Sequence, residues 1–337
     1  MVINHHFYMS LALKEAWKQQ GLTYPNPAVG AVIIDKYGKL LSIEATQAAG
    51  KEHAELKAIE SALIHLGDAH LSTLKTASEK HQHILSYHDN KLKGASIYVT
   101  LEPCTHHGKT PPCSTLIQFC GFKTLICGTM DPNQEASGGI AILQDWGIDV
   151  VTGILQKECD LLLIPFRKWQ EEKPFVFFKL ALSSNGVYDG GIITSKESRT
   201  LVHQMRSNID LLVIGGETVR VDRPILDSRL VAGKAPDILI LSHQKEFDKS
   251  IPLFSVPHRK IFIEENFDRI KQYHFIMIEG AEAMLQASTS IVDWYCIFTS
   301  SSMKKGRTIQ IEKDLQRLQV MKNEHETIAW FQKRNSK

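Results

Sequence analysis

The sequence has no run of about 18 to 20 uncharged apolar residues, the length a helix needs to cross a bilayer, so no membrane span is expected. Its first twenty positions carry His5, His6, Lys14, Glu15 and Lys18 and lack the apolar core of a signal peptide; a cytoplasmic protein is expected. Neither sign of charge dominates. The 39 Lys and Arg and 37 Asp and Glu are mixed along the chain and leave a net +2. Nucleic-acid binders usually gather a basic face, so no nucleic-acid partner is expected, whereas a small anionic ligand needs only one or two placed cations. No internal repeat or low-complexity tract occurs, and no Gly-x-Gly-x-x-Gly follows a strand, which argues against a Rossmann site. Cysteines are few, six in 337 residues. In a reducing compartment, paired cysteines point to a metal or to catalysis more often than to disulfides.

What is present reads as two α/β domains. A chain of 337 residues exceeds one typical core. We expect a first domain over 1–152, a connecting segment over 153–173 and a second domain over 174–337. Leu11 to Gln20 reads as helix, broken by Pro25-Asn26-Pro27. Ala28 to Ile34 is an apolar, β-branched run with a hairpin partner at Leu40 to Glu44. From His53, the positions Leu56, Ile59, Ala62 and Leu63 recur at helical spacing. Residues 67–93 are polar and read as a surface insertion. Strands are expected at Ala95–Thr100, Thr124–Cys127 and Ile148–Val151, with a helix after Ser137-Gly138-Gly139. Alternating strands and helices imply a layered α/β domain. The second domain opens on Phe175-Val176-Phe177-Phe178, with further strands near 211–214, 238–241, 261–263, 275–278 and 292–298.

Three features of the first half carry chemistry. His53-Ala54-Glu55 opens a helix, Pro103-Cys104 follows a buried strand, and Cys113 stands nine residues later behind Pro111-Pro112. One imidazole and two thiolates leave a fourth tetrahedral position open on zinc, the pattern of a catalytic rather than a structural site. Glu55 is not needed as a ligand and can carry protons between water, ring nitrogen and leaving amine. This order of His-x-Glu and Pro-Cys is that of zinc nucleobase deaminases.

The stretch Thr23-Tyr24-Pro25-Asn26-Pro27-Ala28-Val29-Gly30, then His53-Ala54-Glu55, then Tyr98 to Cys113, together with Asp131-Pro132-Asn133, resembles the bifunctional deaminase/reductases of riboflavin biosynthesis. The likeness continues in Lys179-Leu180-Ala181, Gly215-Gly216-Glu217-Thr218, Asp222-Arg223-Pro224, Arg229 and Glu279-Gly280-Ala281. It implies a cytidine-deaminase-like N-terminal domain with a mixed sheet and a dihydrofolate-reductase-like C-terminal domain. It further implies deamination of a phosphoribosylaminopyrimidine with Zn2+, then NADPH-dependent reduction of its ribosyl group to ribityl. On this likeness Asn26 and Lys109 would hold the pyrimidine. Arg206, Leu226, Arg229 and Glu279 would hold the substrate of the second step, with the two arginines suited to its phosphate. Ala181, Thr218, Asp222 and Ala281 would line the cofactor site. The chain departs from the family at Thr46, usually His, in the length of 67–93, in a shortened segment between Lys179 and Thr194, and at Gly190, Ile192 and Ala281. A deaminase whose C-terminal domain is a non-catalytic dimerisation or binding module is the competing reading. A nucleic-acid-editing deaminase is a third, opposed by the charge balance and the long Cys spacing. The sequence leaves a homo-oligomer open.

Overall fold

The computed structural model describes residues 4–106, 111–189 and 191–334. Two compact units divide the chain, Met1–Gln170 and Glu171–Lys337.

In the first unit, helix α1 (His5–Lys18) starts where the Asn4 side chain accepts a hydrogen bond from Phe7 N, leaving Met9, Ala12, Leu13, Ala16 and Trp17 on one buried face. It begins six residues before the helical reading does. Strands β1 (Gly30–Ile34) and β2 (Leu40–Ala45) form the expected antiparallel hairpin. Gly30 is forced by packing: a Cβ there would stand 1.9 Å from the Ala12 carbonyl oxygen, so only glycine lets α1 lie this close to β1. Helix α2 (Ala54–His65) follows His53, which is its N-cap. The segment 67–93 is not a solvated loop. It forms a 3-10 turn at Ala69–Thr73 and helix α3 (Ala77–Tyr87), opened by a capping box between Thr76 and Glu79. Leu71, Ala77, Ile84 and Leu92 join the core beneath it.

Strand β3 (Ser96–Leu101), helix α4 (Cys113–Phe119), strand β4 (Thr124–Thr129), helix α5 (Gly139–Asp145), strand β5 (Asp149–Thr152) and helices α6 (Gln156–Leu162) and α7 (Ile164–Gln170) complete the unit. The sheet order is β2-β1-β3-β4-β5, with β1 antiparallel to β2 and β3, and β3, β4 and β5 parallel. This is the expected mixed sheet. Side chains alternate across it: Val29, Ala31, Ile33, Ile97 and Val99 enter the core under α2 and α4, and Tyr98 meets Tyr8 of α1 on the other face.

The second unit comprises β6 (Phe175–Leu182), α8 (Lys196–Asn208), β7 (Leu211–Gly215), α9 (Gly216–Asp222), β8 (Asp237–Leu241), β9 (Ile261–Glu264), β10 (Phe275–Glu279), α10 (Glu282–Ala287), β11 (Trp294–Ser300), β12 (Leu315–Lys322) and β13 (Glu326–Lys333). Its sheet runs β12-β13-β11-β6-β10-β7-β8-β9, and all neighbours from β11 to β9 are parallel. The antiparallel hairpin β12–β13 closes one edge and was not foreseen in the Lys-rich ending. Central strands buried on both faces read as continuous apolar runs, which is why Phe175 to Phe178 announced β6. The α/β class of this unit stands as expected.

Candidate functional site

The antiparallel pairing of β1 with β3 brings the start of β1 and the end of β3 to one edge of the sheet. There the chain leaves β3 through Glu102, Pro103 and Cys104. The Glu102 carboxylate accepts hydrogen bonds from the backbone N–H of Asp131, Gly138 and Ile140 at 3.2, 3.0 and 3.2 Å, tying the loop before α5 to this edge. The Cys104 carbonyl accepts from the N–H and hydroxyl of Ser114, which holds the first turn of α4 against it.

His53 Nδ1 lies 3.7 Å from Cys104 Sγ and 3.6 Å from Cys113 Sγ. Bond lengths of about 2.0 Å for Zn–N and about 2.3 Å for Zn–S put neighbouring ligand atoms of a tetrahedral ion about 3.5 Å apart, so the three donors fit zinc. No other group of His, Cys, Asp and Glu among the described residues gathers this way. The electrostatics suit a cation. Cys104 is held as thiolate, its pKa lowered to about 4 by the hydrogen bond from Cys113 and by His53, against the effect of burial. Cys113, hydrogen-bonded to that thiolate and fully buried, is pushed up. Burial alone would lower His53, but the bond to Cys104 and the charges of Glu55 and Cys104 raise it. Glu55 is buried within the first turn of α2, and burial together with the Cys104 charge raises its carboxyl to about 7.

Asn26 precedes β1 at this same edge, in a turn where its N–H donates to the Thr23 carbonyl; among the described residues its side-chain amide makes no hydrogen bond. Lys109 lies outside the described residues, as does Gly190. Thr46 is buried and its N–H donates to the Val29 carbonyl. Four buried polar residues of the neighbourhood were not singled out from sequence: Glu52, Glu60, Lys80 and His81. Lys80 Nζ meets Glu52 Oε1 at 2.5 Å and Glu60 Oε1 at 3.0 Å.

In the second unit a cleft of about 910 Å³ opens at the carboxyl ends of the adjacent parallel strands β6, β10 and β7, where open α/β sheets bind ligands. It gathers Ala181, Arg206, Thr218, Asp222, Leu226, Glu279 and Ala281. Arg229 does not line it; that side chain is half exposed and pairs with Asp227 at 2.5 Å. Arg206 Nη2 donates to both Glu279 oxygens, at 3.0 and 2.7 Å, while its Nε, buried, has no partner. Burial would raise Glu279, but the charges of Arg206 and Lys179 hold it below the usual carboxylate range. His203, which sequence reasoning passed over, also lines the cleft with a buried, unpartnered Nδ1. Gly215 and Gly216 line the cleft at the start of α9, and a Cβ on Gly215 would meet only Thr218 Oγ1, at 3.9 Å, so its backbone is open to a ligand, a setting that fits an anionic dinucleotide.

A mixed-sheet α/β unit that presents one imidazole and two thiols beside a buried glutamate defines the zinc-dependent deaminase class. Residues 2–129 match the cytidine and deoxycytidylate deaminase zinc-binding region, and residues 174–324 match the RibD C-terminal domain. The riboflavin biosynthesis protein RibD of Synechocystis is 30% identical over 299 residues, 86% of this chain and 74% of that one. The RibD of Aquifex aeolicus is 37% identical over 247 residues, 71% of this chain. The chain belongs to the RibD family of riboflavin biosynthesis proteins. It spans about six tenths of the length of some curated relatives it matches, 62% for Aquifex and 58% for Actinobacillus pleuropneumoniae. A crystal structure from Thermotoga maritima, described as a diaminohydroxyphosphoribosylaminopyrimidine deaminase/5-amino-6-(5-phosphoribosylamino)uracil reductase, shares 26% identity and a TM-score of 0.63 over 98% of both chains. Among the described residues no helix is long and apolar enough to cross a membrane.

Proposed function

We propose that this chain carries out two steps of riboflavin synthesis: hydrolytic deamination of 2,5-diamino-6-(5-phosphoribosylamino)pyrimidin-4-one, then reduction of the ribosyl side chain to ribityl. The observation that carries the reading is the His53, Cys104 and Cys113 cluster with Glu55 buried beside it. Those three residues would hold zinc, which when bound supplies Lewis-acid activation of water at neutral pH. Glu55 does the proton work. Its carboxyl, raised to about 7, can both accept and return a proton at neutral pH. Water adds to the ring carbon that bears the 2-amino group, and Glu55 carries the water's first proton to the ring nitrogen; it then carries the proton of the new hydroxyl to the departing amine as the C–N bond breaks and the C=O bond forms. Oxygen replaces nitrogen and ammonia leaves. Asn26 and Lys109 are the pyrimidine-binding candidates of this site.

In the second unit, Ala181, Thr218, Asp222 and Ala281 are assigned to NADPH, which when bound supplies the hydride for the ring-opened sugar carbon. Leu226, Arg206, Arg229 and Glu279 are assigned to the phosphoribosyl substrate. The ionised Glu279 suits the sugar hydroxyls, and Arg229, with its half-exposed guanidinium, suits the phosphate. The deaminase domain is assigned to 1–152, the connecting segment to 153–173 and the reductase domain to 174–337. The direct test incubates the purified chain with the diaminopyrimidine and NADPH and follows ammonia release, NADPH oxidation and product mass. Ammonia without NADPH oxidation would leave a deaminase only, and neither would overturn the reading.

A further inference from the structure

Helix α3, in the polar segment that departs from the family in length, reaches both helices that carry the metal donors. Lys80 is buried, and its ammonium bridges Glu52, the residue immediately before His53, to Glu60, two turns along α2. Lys57 reaches the other oxygen of Glu60 at 3.0 Å, so both oxygens of that carboxylate are engaged. His53 is the N-cap of α2 and receives no side-chain cap bond of its own. The Lys80 bridge thus spans the bend at His53 and fixes the direction in which the chain enters α2. The next residue, His81, is also buried, and its Nε2 lies 3.3 Å from the Pro112 carbonyl oxygen. A carbonyl only accepts, so the ring nitrogen donates. Pro112 is the N-cap of α4 and immediately precedes Cys113. Two consecutive side chains of one helix therefore grip the residues just before two of the three metal donors.

We propose that Lys80 and His81 are positioning residues that hold the starts of α2 and α4 at the separation a zinc ion needs between His53 and Cys113. Groups that orient metal ligands from outside the coordination sphere commonly change metal affinity by about ten- to a hundred-fold when removed. The inference rests on the reading that His53, Cys104 and Cys113 hold zinc.

The test measures zinc dissociation from the full chain by competition with a chromophoric chelator, and the visible ligand-field bands of the cobalt-loaded chain. Lys80→Met and His81→Ala should each loosen zinc by about ten- to a hundred-fold and change the cobalt bands. Lys80→Arg and His81→Gln, which keep the charge and the donor, should recover much of the affinity. Leu71→Ala in the same segment serves as the packing control and should lower the thermal midpoint without loosening zinc. If Lys80→Met does not fold, His81→Ala decides, since it strands no charge. Wild-type zinc affinity in His81→Ala and Lys80→Met, or an equal loosening in Leu71→Ala, overturns the brace and leaves the zinc assignment standing. A wild-type chain that binds no zinc overturns that assignment instead.

Discussion

The guanidinium of Arg206 rests on the carboxylate of Glu279, with Nη2 2.7 Å from Oε2 and 3.0 Å from Oε1 and only about an eighth of either side chain exposed (13% and 12%). The pair joins the last turn of α8 to the end of β10, and both residues line the cleft of the second unit. Arg206 therefore has a structural duty as well as the substrate role assigned to it.

Removing one member of a buried pair strands the other. Arg206→Ala should destabilise the second unit by about 3 to 5 kcal/mol at pH 7, far more than a surface ion pair would. The pH dependence has a definite sign. Glu279 titrates lower in the folded chain than its ordinary 4.5, so its pairing contributes stability above that value, and the contribution is lost as pH falls through the lowered pKa. The stability gap between wild type and Arg206→Ala should accordingly be widest near neutrality and narrow in acid. Urea unfolding across that range checks it, and a gap that grows toward low pH would contradict the pairing.

The metal donors give a second expectation. Protein purified without chelator should hold about one zinc per chain by elemental analysis. Cys104→Ser and Cys113→Ser should lose both zinc and ammonia release, because a hydroxyl at either position is a poor substitute for a thiolate. Retention of a full zinc complement in either variant would remove that cysteine from the site.

Glu55 separates metal binding from proton transfer. Glu55→Gln keeps the shape of the side chain and leaves all three donors in place, so zinc content should not change. The deamination rate should fall by about 10² to 10⁴-fold, the usual contribution of a general acid–base group. Turnover close to wild type would mean that another group moves the proton.

Much of this arrangement is legible in the sequence because it is local. His53 and Glu55 are two residues apart, Cys104 comes shortly after the buried strand β3, and β1 and the Phe175–Phe178 start of β6 are continuous apolar stretches. What stayed hidden depends on partners distant in the chain. Lys80 and Glu52 are 28 residues apart and Arg206 and Glu279 are 73 apart, and a charged residue looks solvated until its counter-charge is found. Residues 67–93 read as surface for that reason, although Thr76 and Glu79 stand at capping-box spacing and mark the start of α3. The edge strand β12 escaped notice because its exposed and half-buried positions do not alternate cleanly.

The last expectation concerns the cofactor end of the cleft. A Cβ on Gly216 would stand 2.6 Å from Ser242 Oγ and 2.7 Å from Ser242 Cβ, with the Phe247 ring 3.2 Å away. Gly216→Ala must therefore push the start of α9 away from β8, and α9 carries Thr218 and Asp222. Overpacking of this kind typically costs about 1 to 3 kcal/mol. If that cost falls on the bound geometry, KM for NADPH should rise by roughly one to two orders of magnitude, with a smaller change in kcat. Ammonia release should stay as in wild type, because every donor of the deaminase site belongs to the other unit. Adding Ser242→Gly removes both of the closest clashing atoms and should restore NADPH binding. The assay supplies the deaminated intermediate directly and records NADPH oxidation, so the two activities are read separately. An unchanged KM in Gly216→Ala would place the cofactor away from α9. A raised KM that Ser242→Gly does not relieve would mean that the loss comes from something other than this contact.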